Sequence, residues 1–503
     1  MQSIENDGRR WNVYIQAGEQ LKSPGATAHR LFICGKRIAI DSGMGIRDAK
    51  LGGNYIPVPG EHSEKLDLII ATHPHLDHTG HLPALARENP DALIIMSRPT
   101  AMGAEIMLKD SLKIHESDQK ALLRAGKSAT PFMYSSSDIG TMFARTRPVT
   151  KAGWCEVWPG WKFGFYSSGH TRGAMMTFIV PPKGPAYLVT GDVCSHDQPV
   201  VKGVMLPPKE FFGDILKGKS IVLITETTYG DRELDKPMED TWNEFGEFVK
   251  RKVGERIQLL LPSFSDRAPN ILKELSRRGI HSHIDGMARD FCMLHASPNY
   301  VWCEQDVILE IDDLIKQKLA VLYRKLTRGS PRGEHEAEAA HRRDTDEGNC
   351  CGIQYSPVIS SSAMMDKGKS VEHAIRILPR KDTAVIFTGY MFPNSVGAKL
   401  LTLEKGDTVK MMEWNSRKKE EEARHVPVSC EVHRFALSGH DSAAKLVERV
   451  RRLNEICPVE AVIGHHGDDQ NFNGFAQRVK SLNLGIPMLH GEHMTELWTE
   501  LSV

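Results

Sequence analysis

An apolar run from Leu66 to Thr72 delivers the chain straight into Thr72-His73-Pro74-His75-Leu76-Asp77-His78-Thr79-Gly80-His81. No other segment limits the fold and chemistry of this chain as strongly. His73, His75, Asp77 and His78 place three imidazoles and a carboxylate within six residues. Zinc is held by imidazole, with carboxylate as its usual oxygen partner. A strand ending in a tight turn can aim alternate side chains at two neighbouring metal positions. The competing reading is a polar loop whose histidines face water. That reading suits a lone histidine, whereas four such groups at this spacing point to a metal site.

The surrounding pattern is layered α/β. Short apolar runs rich in β-branched residues read as buried strands. Arg30 to Ile40 holds two of them, the second ending at Asp41-Ser42-Gly43. Others are Ala92 to Met96, Ala186 to Thr190 before Gly191-Asp192, and Ile221 to Thr225 before Glu226. Amphipathic helices are expected at Ala101 to Ile114 and Thr241 to Val253. Alternation of this kind indicates sheets covered by helices. Trp154 to Tyr166 has a Pro159-Gly160 turn between aromatic runs and predicts a hairpin.

A second alternation starts near Ile257. Strands are expected at Ile257 to Leu261, His281 to Asp285 and Ala384 to Thr388, and a helix at Ala268 to Arg277. At 503 residues, two or more domains are expected. Arg328 to Asn349 is charged and almost lacks large apolar residues, which predicts a mobile surface loop.

Composition narrows the function classes. Lys+Arg and Asp+Glu are both 64, so the chain has no net basic excess of the kind that coats non-specific nucleic-acid binders. The nine cysteines are scattered without a CxxC pair, as in a reduced, cytoplasmic protein rather than a disulfide frame. The polar stretch Met1 to Tyr14 has no apolar leader, and no run approaches the ~18 apolar residues of a membrane helix. A soluble, cytoplasmic protein is expected.

The His-x-His-x-Asp-His motif resembles the signature of the metallo-β-lactamase superfamily. Further residues match that pattern in order: Asp41 after its strand, His170 in Ser168-Gly169-His170-Thr171, and Asp192 in Thr190-Gly191-Asp192. The resemblance implies an αββα sandwich and a pair of zinc ions. His73, His75 and His170 would hold one ion, Asp77 and His78 the other, and Asp192 would bridge them. Asp41 would orient ligands through hydrogen bonds. Two neighbouring metals can activate one shared hydroxide and clamp the oxygens of a displacement.

The rest of the chain, to about Asp468, resembles the β-CASP nucleases of that superfamily. Thr225-Glu226-Thr227-Thr228-Tyr229-Gly230-Asp231-Arg232 is similar to motif A, with Glu226 as its acid. Ser438-Gly439-His440-Asp441 is similar to motif B, with His440 as its histidine. His466-Gly467-Asp468 is similar to motif C, with His466 as a further ligand of the second zinc, although His465 is the neighbouring alternative. The resemblance is closest to bacterial and archaeal relatives of the RNA 3′-end processing endonuclease. Ala363 stands where glycine is usual after Ser361-Ser362, and would be strained if that position needs φ > 0.

The resemblance implies an α/β β-CASP domain at 233–427, inserted between two parts of the metallo-β-lactamase domain at 1–232 and 428–503. RNA would enter the cleft between them. Arg267, Lys369, Ser361 and Ser362 are the candidate phosphate and backbone contacts. Specificity is expected to come from the cleft, or from a protein partner such as a second copy or a processing complex.

The expected activity is zinc-dependent hydrolysis of single-stranded RNA, with a hydroxide activated by two metals. Asp77, Asp192, His440 and Glu226 would be the catalytic set. Histidine at motif C goes with RNA-processing members of the branch. A small-molecule metallohydrolase and an inactive scaffold of an RNA-processing complex are the alternatives. The inserted domain argues against the first, and the filled ligand positions argue against the second.

Overall fold

The computed structural model describes residues 27–44, 65–302 apart from 125, 127, 129–131 and 265, and 349–490 apart from 351, 352 and 416–419. The segment expected as a surface loop, 328–349, lies outside the described residues except for Asn349.

Two sheets build the first layer pair. One has strands β1 (Ala28–Ile33), β2 (Lys36–Ser42), β3 (Leu68–Ala71), β4 (Leu93–Ser97) and β5 (Thr146–Val149) in sequential order. The β1–β2 pair is antiparallel and the others are parallel. The other sheet begins with β6 (Gly153–Cys155), β7 (Lys162–Ser167), β8 (Met175–Val180), β9 (Ala186–Val189) and β10 (Ile221–Glu226). The expected hairpin is β6–β7, in which Trp154 faces Gly164 across the ladder.

Strand alternation sets the layers. Leu68 and Ile70 of β3, with Ile38 and Ile40 of β2, point inward and meet Phe163, Phe165, Ile179 and Tyr187 of the second sheet. The intervening Ala39, Ile69 and Ala71 face outward. There they pack on the helices Leu82–Glu88, Arg98–Arg124 and Ser136–Arg145 through Leu82, Leu108 and Ile139. Period-2 alternation with apolar residues on both faces is what a doubly covered sheet requires. Each fully buried Phe or Leu in such a core contributes about 1.5–3 kcal/mol.

A third sheet lies between β10 and the return of the chain. It takes β11 (Gln258–Pro262), β12 (His283–Asp285), β15 (Val358–Ser360), β16 (Thr383–Phe387) and β19 (Glu431–Arg434) in the order β12-β15-β11-β16-β19, all parallel. Strands β13 (Asn349–Cys350) and β14 (Ile353–Gln354) pair with each other, as do β17 (Thr408–Asn415) and β18 (Glu420–Pro427). On one face, Leu259, Leu261 and Ile386 pack on Trp242 and Phe245 of the helix Met238–Gly254. On the other, Leu260, Val385 and Phe387 pack on Val371 and Ala374 of the helix Lys369–Ile377.

Strand β19 belongs to the third sheet, and Leu437 is buried in its core. This unit therefore runs beyond the boundary expected at 427. The half-buried polar sequence Glu431-Val432-His433-Arg434 offers no apolar run that would have marked an edge strand.

The chain then re-enters the second sheet. After the helix Ala443–Ile456, strand β20 (Val459–His465) pairs parallel with β10, followed by the helix Asp469–Lys480 and β21 (Met488–His490). The register sets Glu226 opposite His465. Residues far apart in sequence thus meet at the carboxyl ends of adjacent strands.

Candidate metal centre and active site

The site is assembled at strand ends. Asp41 closes β2, the His73 to His78 segment follows β3, Asp192 follows β9, Glu226 ends β10 and His466 follows β20. The loop after β2 packs so tightly on the histidine loop that a Cβ on Gly43 would lie 1.7 Å from the Asp77 carbonyl oxygen. Asp41 and His466 both have positive φ, 59° and 58°. Non-glycine residues take this region only when their surroundings impose it, and such positions cluster at functional sites.

Two groups of ligand atoms converge. Nδ1 of His75 lies 3.0 Å from Nε2 of His73 and 3.4 Å from Nε2 of His170. Oδ2 of Asp192 is 3.5 Å from both of the latter nitrogens. In the second group, Nε2 of His466 is 3.1 Å from Oδ2 of Asp77. Nε2 of His78 lies 3.3 Å from Oδ1 of Asp192 and 4.0 Å from Oδ2 of Asp77. Asp192 thus turns one oxygen to each group.

These residues fit a metal centre. His73, His75, His170 and Asp192 form one set whose donor atoms all lie within 4.8 Å of one another, and Asp77, His78 and His466 form another. Nε2 of His78 and Oδ1 of Asp192 are buried 3.3 Å apart without a well-formed hydrogen bond, a costly state that a shared cation would remove. A third grouping includes Glu226 with Asp192 and His466. Its oxygens are already engaged by the Val193 amide, the Thr228 hydroxyl and His440, so its geometry is that of a positioning group.

The outward nitrogen of each imidazole is also held. Nδ1 of His73 meets the Thr72 hydroxyl at 3.1 Å, and Nδ1 of His78 meets Oδ2 of Asp41 at 2.7 Å. Nδ1 of His170 meets the Gly439 carbonyl at 2.7 Å, and Nδ1 of His466 meets the Thr228 hydroxyl at 2.9 Å. Nε2 of His75 meets Oδ2 of Asp266 at 3.0 Å. Partners of this kind fix ring orientation and tautomer at metal sites. Asp41 also accepts hydrogen bonds from the Thr72 amide and hydroxyl, both at 2.7 Å.

Electrostatics follow this geometry. Burial and the neighbouring His78 hold His73 well below the usual imidazole range, and burial with His440 lowers His170 to about 3. Both are neutral, as ligation requires. Burial opposes charge on His78, but Asp192 and Asp41 outweigh it and raise its pKa. Burial likewise opposes ionisation of Asp77, yet its hydrogen bond to His466 and the charge of His78 lower it.

Within the doublet, His466 faces Asp77, whereas His465 packs edge-on against His29 with ring centroids 4.5 Å apart. Beside the ligand groups, Nδ1 of His440 lies 2.9 Å from both oxygens of Glu226. Burial opposes protonation of His440, and the Glu226 carboxylate reverses the balance, so its pKa is raised. Its ring centroid is 4.6 Å from that of His170. Asp77, His75 and His440 keep 27%, 23% and 20% of their side chains exposed, so this edge of the site is open to solvent.

Of the residues singled out for RNA contact, Arg267 stands close to the centre. It donates to Oε1 of Gln198 at 2.8 Å, and its Nη2 would lie 2.9 Å from a Cβ on Gly439. Ser361, Ser362 and Lys369 gather at the starts of two helices of the third-sheet unit, Met287–His295 and Lys369–Ile377. Oγ of Ser361 accepts from the Met287 amide at 2.9 Å, and the Lys369 ammonium is 3.1 Å from Glu372. The strain considered for Ala363 does not arise, because the positive-φ positions nearby are Met365 and Gly368.

Two functional carboxylates escaped the sequence reading. Asp266 follows the Leu261-Pro262-Ser263-Phe264 segment, and a carboxylate just past a strand end was the available signal. Asp441 accepts from the Ser195 amide and hydroxyl at 2.6 and 2.7 Å and pairs with the buried Arg449, which fixes the His440 loop.

Comparison with known proteins agrees with this architecture. The metallo-beta-lactamase superfamily model matches residues 31–171, and the Beta-Casp domain model matches residues 305–400. The chain is 26% identical to the transcription termination factor FttA of Methanocaldococcus jannaschii over 89% of its own length and 65% of that protein's. It is thus similar to a relative of which it spans about two thirds. It is 24% identical to ribonuclease TTHA0252 of Thermus thermophilus, covering 84% of this chain and 87% of the other. It is 25% identical to endoribonuclease YSH1 of Kluyveromyces lactis, over 76% and 47%. A crystal structure of a protein of unknown function from Enterococcus faecalis V583 shares the fold, with a TM-score of 0.51 and 13% identity over 92% of this chain and 95% of that one. These matches show a metallo-beta-lactamase superfamily domain over residues 31–171 and a Beta-Casp domain over residues 305–400.

Proposed function

We propose that this protein is a zinc-dependent ribonuclease that hydrolyses phosphodiester bonds of single-stranded RNA. The observation that carries the proposal is Asp192, whose two oxygens face two separate sets of imidazole and carboxylate donors. The names of the ribonuclease and endoribonuclease relatives point to RNA as the substrate class.

Two zinc ions, when bound, supply a nucleophile from water at neutral pH and stabilise charge on the phosphoryl oxygens. His73, His75 and His170 would hold one ion and Asp77, His78 and His466 the other, with Asp192 facing both sets. The chain's own residues supply the rest. A departing alkoxide is a poor leaving group unless it is protonated, and imidazole is the side chain suited to give that proton near neutral pH. Glu226 grips Nδ1 of His440 and favours the imidazolium, which leaves Nε2 to offer its proton to the leaving oxygen. Asp441 and Arg449 keep that imidazole in place. Arg267, beside the centre, and the Ser361, Ser362 and Lys369 group provide contacts for flanking phosphates.

The test is incubation of zinc-loaded protein with end-labelled RNA and DNA, each with free and blocked ends. Cleavage of RNA that chelator abolishes and zinc restores is the expected result. No cleavage of any RNA at full zinc occupancy overturns the proposal.

A further inference from the structure

Three of the five outward imidazole nitrogens find their partners within the two facing sheets and their loops, Thr72, Asp41 and Thr228, and a fourth meets Gly439 on the connection from β19 back to the second sheet. The fifth goes elsewhere. Nε2 of His75 meets Oδ2 of Asp266, which lies between β11 and the helix Ala268–Ser276 and so belongs to the third-sheet unit. The contact is 3.0 Å, and Asp266 keeps only 16% of its side chain exposed.

We propose that Asp266 is a positioning residue through which the third-sheet unit completes the metal centre, orienting His75 so that its Nδ1 faces His73 and His170. The inference rests on the metal-centre reading above and adds to it a specific dependence of metal affinity on a residue of the inserted unit.

Three observations lead there. Imidazole has two nitrogens, and fixing one determines what the other can do. His75 is the most exposed imidazole of the centre, at 23%, so it has the least packing to hold its ring. Asp266 in turn is anchored. It stands two residues ahead of the helix Ala268–Ser276, next to the N-cap Arg267, at the helix end that favours negative charge. Its neighbour Arg267 is tied to Gln198, whose amide donates to the carbonyls of Gly169 and His170 at 3.1 and 2.8 Å. The loop carrying Asp266 is therefore gripped by the loop carrying the third ligand. Because coupling between two binding events is reciprocal, seating of this unit and metal binding at His75 strengthen each other.

The experiment measures zinc affinity of the full chain by competition with a chromophoric chelator. It compares wild type, Asp266→Ala, Asp266→Asn and Lys367→Ala, with cobalt(II) absorption as a second readout. Lys367 pairs with Asp118 at 2.8 Å across the same two units without touching the centre, so its variant controls for a merely structural tie. The expected result is that Asp266→Ala weakens one of two zinc sites by ~10–100-fold and alters the cobalt spectrum. Asp266→Asn, which keeps an acceptor oxygen, should fall between Ala and wild type, and Lys367→Ala should match wild type. If Asp266→Ala does not fold when metal-free, the Asn variant decides. Affinity and cobalt spectrum unchanged in a folded Asp266 variant overturn the inference while leaving the metal-centre reading intact, and so does an equal loss in Lys367→Ala. Wild type that binds no zinc overturns the metal-centre reading itself.

Discussion

Nδ1 of His440 sits 2.9 Å from each oxygen of Glu226, so one carboxylate grips one imidazole nitrogen symmetrically. Glu226 is completely buried and His440 is not, so the pair presents a charge-favoured imidazole to the open edge of the site. Removing the ring should spare the ligand groups, because it touches His170 and His466 only ring to ring, while their Nδ1 atoms are held by Gly439 and Thr228. His440→Ala is expected to retain wild-type zinc content and thermal stability while losing ~10²–10⁴-fold in kcat. Elemental analysis alongside single-turnover cleavage checks this. Loss of a zinc ion would make His440 a ligand instead, and unchanged turnover would remove it from the mechanism.

Asp41 serves the site without facing it. It accepts hydrogen bonds from the Thr72 amide, the Thr72 hydroxyl and Nδ1 of His78, all fully buried. Asp41→Ala leaves three buried donors unmatched, and each unmatched buried group costs about 1–3 kcal/mol. The metal-free variant should lose at least ~2 kcal/mol in denaturant unfolding. Zinc affinity should fall ~10–100-fold at the set containing His78. An unchanged unfolding midpoint would contradict this role.

How far the site was legible in the sequence follows from how its residues are placed. Asp41, His73 to His78, His170 and Asp192 stand just past short apolar runs, so strand ends and ligands could be read together. Pairing of β20 beside β10, which brings His466 toward Asp77, is long-range, and only the order of the motifs anticipated it. Asp266 carried only the weak mark of a lone Asp past a strand end, which is usually a cap, and its partner His75 lies in another unit. The β17–β18 hairpin was also hidden. Lys410, Glu413, Glu421 and Arg424 interrupt its apolar residues, and among the described residues Val409, Met411 and Val426 reach the core. The charged stretch Arg328 to 348 lies outside the described residues.

The substrate preference gives a direct comparison. If His466 serves as the proposed ligand on the motif C loop, single-stranded RNA is expected to be cut faster than DNA of the same sequence under zinc-replete conditions. Equal or faster cleavage of the DNA would contradict this.

A pH-dependent effect is expected far from the centre. Ser135 caps the helix Ser136–Arg145, and Asp138 completes a reciprocal box by accepting from the Ser135 amide at 2.7 Å. Partial burial works against the Asp138 carboxylate, but the Ser135 hydrogen bonds and Arg87 lower its pKa. A carboxyl with a depressed folded-state pKa stabilises the fold above its unfolded value, about 3.9, and that contribution is lost as pH falls through the lower folded value. Asp138→Asn should therefore be less stable than wild type at neutral pH, and the two should converge as the pH drops below about 4. Ser135→Ala should cost about 1 kcal/mol at neutral pH. Denaturant melts at several pH values measure both, and a gap that persists in acid would contradict the assignment.

The most direct test of the central claim is the zinc content of protein purified without chelator and supplied with excess zinc. Seven residues occupy two ligand sets around Asp192: His73, His75, His170, Asp77, His78, His466 and Asp192 itself. The expected result is two zinc ions per chain. One ion, or none, at full zinc supply would contradict a dinuclear centre.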